Sequence, residues 1–270
     1  MAEECTHECS SCGKGCPGAK NAFAVPLNAA SKVGKVIAVA SGKGGVGKSF
    51  VTSMLAVAAA KRGLKTGILD ADITGPSIPL AFGIAPGARQ GEHGIEPAVT
   101  TAGIRIISLN MLVEEATEPV VWRGPVIAGV VKQFWSDVHW GDLDVVFVDM
   151  PPGTGDVPLT VFQSLPVDGV VVVSSPQELV GMIVAKAVRM AEMMGKPVLG
   201  LVENFAFMEC PGCGKKVFPF GEPRADELAK RFSIPFVAQL PVDPAFSAAV
   251  DAGAAETLDI AGLEPLVSSL

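Results

Sequence analysis

Eight residues, Gly42-Lys43-Gly44-Gly45-Val46-Gly47-Lys48-Ser49, constrain what this chain can fold into more than any other stretch. They fill the pattern G-x-x-x-x-G-K-[ST] between a strand-like run, Lys35 to Ala40, and a helix-like run, Ser49 to Arg62, that holds no Gly or Pro and closes at Gly63. Strand, glycine loop and helix in that order set backbone N–H groups and a helix N-terminus around an anion. Gly42, Gly44, Gly45 and Gly47 let the loop backbone, Val46 included, turn inward on phosphate oxygens. Lys48 then meets the outer phosphates and the Ser49 hydroxyl ligates Mg2+.

The alternation continues along the chain. Strand-like runs fall at 36–40, 66–70, 104–109, 144–149, 169–174, 198–202 and 236–240, with helical segments at 125–138, 177–194 and 223–232. Runs as continuously apolar as Val170-Val171-Val172-Val173 suit strands covered on both faces. The pattern predicts an α/β fold: a single P-loop NTPase domain over 35–270, its mainly parallel sheet flanked by helices on both faces, with the site at the strands' carboxyl ends. At 270 residues and 49% hydrophobic content, the chain supports one such core. Residues 83–97, with four glycines and two prolines, read as a surface loop or small excursion. Ahead of the domain lie a short Cys-rich N-terminal tail, 1–20, too poor in large apolar residues to build a core, and a small-residue linker, 21–34.

Charge narrows the partners. A formal net charge of -7 without a long Lys/Arg run argues against nucleic acid and against a membrane surface. No stretch approaches the roughly 18 apolar residues of a membrane span, and the start Met1-Ala2-Glu3-Glu4 is acidic where a secretory signal is basic, which predicts a cytoplasmic protein. In that compartment the cysteines point to metal or redox chemistry rather than to a disulfide framework.

Carboxylates end two of the strand-like runs. Asp70 and Asp72 follow one, so both are expected to face the phosphates, one serving Mg2+ through water and the other orienting an attacking water. Asp149 closes Val145-Val146-Phe147-Val148 as a Walker B acid in the magnesium shell, and Met150 to Asp156 reads as a loop that changes shape when the γ-phosphate leaves. Lys43 is a second cation inside the loop, either solvated or acting on transition-state charge, including that of a facing subunit's nucleotide.

Cysteines form two groups. Cys5, Cys9, Cys12 and Cys16 bring four thiols within twelve residues, the ligand set of a 4Fe-4S cluster or a structural zinc, with two disulfides as the rival. Cys210-Pro211-Gly212-Cys213-Gly214 is a tight knuckle that offers only two ligands. A two-fold homodimer completes a four-thiolate site by setting two knuckles face to face; a redox dithiol and pairing with the tail cysteines are the alternatives.

These residues carry a resemblance. The lysine-bearing loop resembles the deviant Walker A motif of the MinD/ParA/nitrogenase-iron-protein class. Asp70 to Ser77, Trp122-Arg123-Gly124-Pro125, Asp149 to Asp156 and the Cys210/Cys213 knuckle are together similar to the Mrp-type iron-sulfur cluster carrier ATPases, including their nucleotide-binding-protein branch with an N-terminal cluster. That resemblance implies an ATP- and Mg2+-binding homodimer, weakly hydrolytic, that carries or assembles a 4Fe-4S cluster for apo iron-sulfur proteins. It implies Lys43 acting across the dimer, Asp72 positioning the water, Asp149 as the Walker B acid, Asn204 meeting adenine beside Pro241 to Asp243, and Cys210 and Cys213 as ligands of a bridging cluster. Two departures stand out: the tail's cysteine spacing is more compact than in the eukaryotic cytosolic members, and Phe205-Ala206 replaces the Met-Ser that often follows the asparagine.

Two other functions share these features. A partitioning or positioning ATPase needs a surface to attach to, yet Leu258 to Leu270 lacks a basic amphipathic helix. An ATP-driven reductase uses the same cysteines and moves an electron instead of the cluster.

Overall fold

The computed structural model describes residues 23–72, 77–85, 87–111, 124–176 and 180–270. The tail cysteines Cys5, Cys9, Cys12 and Cys16, Trp122-Arg123 and the first residues of the expected 177–194 helix lie outside them. In chain order the elements are β1 (Lys32–Ser41), α1 (Lys48–Lys61), β2 (Thr66–Asp70), α2 (Ser77–Ala81), β3 (Arg89–Gly91), β4 (Gly94–Glu96), β5 (Ala98–Val99), β6 (Arg105–Ser108) and α3 (Gly124–Ser136). There follow β7 (Asp142–Asp149), α4 (Asp156–Ser164), β8 (Gly169–Ser174), α5 (Val180–Met193), β9 (Val198–Glu209), β10 (Lys216–Val217), α6 (Ala225–Phe232), β11 (Phe236–Pro241), α7 (Pro244–Asp251) and α8 (Glu264–Ser268).

One large sheet runs β9-β8-β1-β7-β2-β6-β5, with β11 and β10 both pairing the outer side of β9. Its inner pairings are all parallel; only the two-residue strands β5 and β10 run antiparallel, at the edges. The side-chain period of two divides β1 between two cores: Val36, Ala38 and Ala40 face α3, α4, α5 and α6, while Ile37 and Val39 face α1, α2 and α8. That double cover is why the strand runs are continuously apolar. Trp135 and Trp140 are buried in the first core, and the Trp140 indole N–H donates to the Phe134 carbonyl at 3.0 Å, so its one donor is satisfied. No helix among the described residues is long and apolar enough to cross a membrane.

The structure adjusts several expectations. β1 begins at Lys32, three residues ahead of 35, because Val33 already pairs with Leu143. The 83–97 excursion contains the β3–β4 hairpin, whose edge docks where Ile95 N–H donates to the Asp137 carbonyl. β9 runs well past 202 to Glu209, delivering the chain to the knuckle.

Candidate functional site

β1, β2 and β7 end side by side, so Ser41, Asp70 and Asp149 arrive at one edge of the sheet. The loop after β1 turns through Gly45 (φ 77°) and Gly47 (φ 78°), a left-handed geometry that favours glycine. Gly47 is the N-cap of α1 and no side chain caps that helix, which leaves first-turn N–H groups for a ligand. Gly42 is needed for a different reason: a Cβ there would lie 2.1 Å from Ile183 Cγ2 and 2.7 Å from the Ile183 carbonyl oxygen, so the loop backbone lies directly on α5.

A cavity of about 340 Å3 opens over this loop, lined by Lys43 to Ser49, Ser53, Asp72 and Pro152 among others. At its base sits a compact ionic network. Lys48, buried, donates from Nζ to Asp149 Oδ2 at 2.7 Å and lies 3.2 Å from Asp72 Oδ2. Ser49 Oγ donates to the same Asp149 oxygen at 2.6 Å, and Thr52 Oγ1 lies 2.6 Å from Asp149 Oδ1. Burial works against the Lys48 ammonium, but the Asp149 and Asp72 carboxylates outweigh it and raise its pKa. Asp149 is fully buried, which only such a set of donors sustains.

Asp70 departs from expectation. Its carboxylate does not face the phosphate cavity: it is buried, accepting from Ser108 Oγ at 2.8 Å and from the Asp72 N–H at 3.0 Å. Burial, followed by the neighbouring Asp149 charge, pushes its pKa well above the ordinary carboxylate value. Of the two acids, Asp72 alone lines the cavity.

Beyond Gly47 a second cleft, about 220 Å3, is lined by Phe50, Asn204, Phe205, Pro241, Val242, Asp243 and Phe246 among others. The three residues expected near adenine are thus brought together. Asn204 is buried, its Nδ2 donating to the Val46 carbonyl at 3.1 Å, so it braces the phosphate loop from β9. Asp243 caps α7 by accepting from the Ala245 N–H at 2.8 Å. Phe50 and Phe246 stack with centroids 5.5 Å apart, joining α1 to α7.

Cys210 and Cys213 sit on a turn just past β9, where the Cys210 carbonyl accepts from the Cys213 and Gly214 N–H groups and the Cys210 N–H donates to Lys215. Backbone N–H groups of Gly212 and Cys213, then the Cys213 side chain, lower the Cys210 thiol pKa and favour the ligating thiolate. Met208, Val217, Phe218 and Phe220 surround the turn as exposed apolar side chains. Among the described residues no third His, Cys, Asp or Glu joins the pair as a metal-ligand group.

The family described as NUBPL iron-transfer P-loop NTPase (ParA) matches residues 32–263. The chain belongs to this family. An iron-sulfur cluster carrier protein of Clostridium perfringens is 44% identical to this chain over 262 residues, covering 92% of the chain and 90% of that relative. Among solved structures, the nucleotide-binding protein of Archaeoglobus fulgidus in complex with ADP, with cobalt, superposes at a TM-score of 0.78 with 45% identity, over 86% of this chain and 91% of that one. The cell division ATPase MinD of Pyrococcus furiosus, at TM-score 0.60 and 20% identity over 87% and 95%, shares the fold alone.

Thr52 and Ser108, which hold the site's carboxylates, and Glu203, which supports β9, are residues that motif reading passes over. Thr52 has a signal, being a polar residue four positions after Lys48 on the same helix face. Glu203 is fully buried and accepts from the Arg224 and Ala225 N–H groups, fixing the start of α6 to β9.

Proposed function

We propose that this NTPase is a cytoplasmic, ATP-dependent carrier that holds a 4Fe-4S cluster between two copies of the chain and passes it to apo iron-sulfur proteins. The observation that carries the reading is that one strand serves both centres: β9 braces the phosphate loop through Asn204 and six residues later delivers Cys210. The relatives named as cluster carriers, matched over nearly their whole length, support the cargo.

In this reading the triphosphate lies on Gly42 to Ser49 and the base in the cleft of Asn204, Pro241 and Asp243. The Ser49 hydroxyl and the Asp149 carboxylate, 2.6 Å apart, are hard oxygen donors suited to Mg2+, which neutralises phosphate charge when bound. Lys48 leaves its carboxylate partners for the outer phosphates, and Asp72 on the cavity wall orients the water that attacks the γ-phosphorus. Hydrolysis is slow, and it alters cluster affinity only in so far as ATP and ADP favour different forms of the dimer. Lys43 serves the partner's nucleotide, and the exposed apolar rim of the knuckle becomes the dimer face.

Anaerobic reconstitution tests this. The expected product absorbs broadly near 400 nm, and Cys210→Ser/Cys213→Ser loses about two irons per chain, half of one shared cluster. A wild-type protein that takes up only zinc sinks the carrier reading, and a double variant that keeps all its iron sinks the bridging site.

A further inference from the structure

β9 is not a regular strand. Its pairing with β11 shifts register, so that Gln239 faces Glu203 and Pro241 faces Phe207, leaving Asn204, Phe205 and Ala206 opposite Leu240 alone. Within this bulge Phe205 takes φ 61°, one of only two non-glycine residues with positive φ among the described residues. Bulges and left-handed side chains re-aim what an extended strand would point elsewhere. Here the ring reaches the phosphate loop: a Cβ placed on Gly47 would lie 3.4 Å from Phe205 Cζ. The ring also lines the 220 Å3 cleft. Its remaining aromatic neighbour is Phe220, at 6.2 Å between centroids and tilted by 55°. Phe220 is half exposed and follows β10, the strand that folds the knuckle back on Met208 and Glu209.

One side chain therefore meets the phosphate loop, the base cleft and the knuckle hairpin. We propose that Phe205 is the positioning residue that transmits nucleotide occupancy to Cys210 and Cys213, by moving with Gly47 and the cleft wall and shifting the hairpin through Phe220. This deepens the carrier reading and rests on it, but the transmission is separable from cluster chemistry. A ring that served only to fill space would leave the nucleotide response of the thiols intact when trimmed.

The test uses the full chain, reduced and metal-free, with iodoacetamide labelling of Cys210 and Cys213 followed by peptide mass spectrometry, with and without Mg-ATP. ATP is expected to change the wild-type labelling rate by about fivefold or more, and Phe205→Gly, which accepts the left-handed backbone without the ring, to cut the response below about twofold. Phe220→Leu, which keeps the apolar rim but removes the ring, is expected to do the same while ATP affinity stays within about threefold of wild type. Equilibrium ATP binding is measured in parallel. Wild-type protein that does not bind ATP overturns the carrier reading itself. ATP binding with no wild-type labelling response, or variants that keep the full response, overturns the role of Phe205 alone.

Discussion

Lys48 sits between two carboxylates at 2.7 and 3.2 Å while almost wholly buried, so the cation proposed to meet phosphate also keeps Asp149 in the interior. Removing one member of such a pair costs about 3 kcal/mol or more, because the other charge is stranded. Lys48→Ala is therefore expected to lower the urea midpoint as well as abolish ATP binding. Asp72→Asn should separate the roles differently: ATP affinity holds within a few-fold, whereas turnover falls by about 100-fold or more, as loss of a water-positioning carboxylate implies. Asp70 contributes to the pH behaviour. Its folded-state pKa lies above 3.8, so between that value and the raised one the folded state binds more protons than the unfolded, and stability falls as pH rises. Asp70→Asn is expected to remove its share of that decline, at most about 1.4 kcal/mol per pH unit, in melts recorded across pH, while Glu203, which burial also pushes up, keeps its own. Lys48, Ser49 and Asp149 are legible in the sequence because their spacing is fixed by one local loop and one strand end. Asp70 is not, since its burial depends on Ser108, brought alongside by the neighbouring β6.

At the scale of elements, the phosphate loop is held from two sides, by α5 under Gly42 and by Asn204 of β9 under Val46. Gly42→Ala tests the first contact. Its methyl group meets both Ile183 Cγ2 and the Ile183 carbonyl, so a loss of about 1–3 kcal/mol and weakened ATP binding are expected, only partly rescued by Ile183→Ala, which leaves the carbonyl in place. The long parallel strands are readable because both faces are apolar, whereas α7 is absent from the sequence reading although Asp243 and Pro244 carry an N-cap signal. The β9 bulge has no such signature. It arises from a register against β11, about thirty-five residues downstream, and local propensity holds no record of that pairing.

For the whole molecule, the proposed dimer makes Lys43 and Asp72 of one chain serve different nucleotides. Mixing Lys43→Gln chains with Asp72→Asn chains decides this. If Lys43 acts across the interface, half the dimers are mixed and each regains one working site, so ATPase activity returns to about a quarter of wild type. If it acts within its own chain, mixing restores nothing. The fold also fixes where the knuckle lies relative to the chain's entry into the domain. β1 and β9 point the same way, so the knuckle and the phosphate loop lie at the carboxyl end of the sheet. Val25 is tied to Ser164, the last residue of α4, at the opposite end, where β1 begins. Ten residues of β1 separate those ends, about 33 Å. Chain that enters the domain at Val25 therefore starts a full sheet's depth from Cys210 and Cys213.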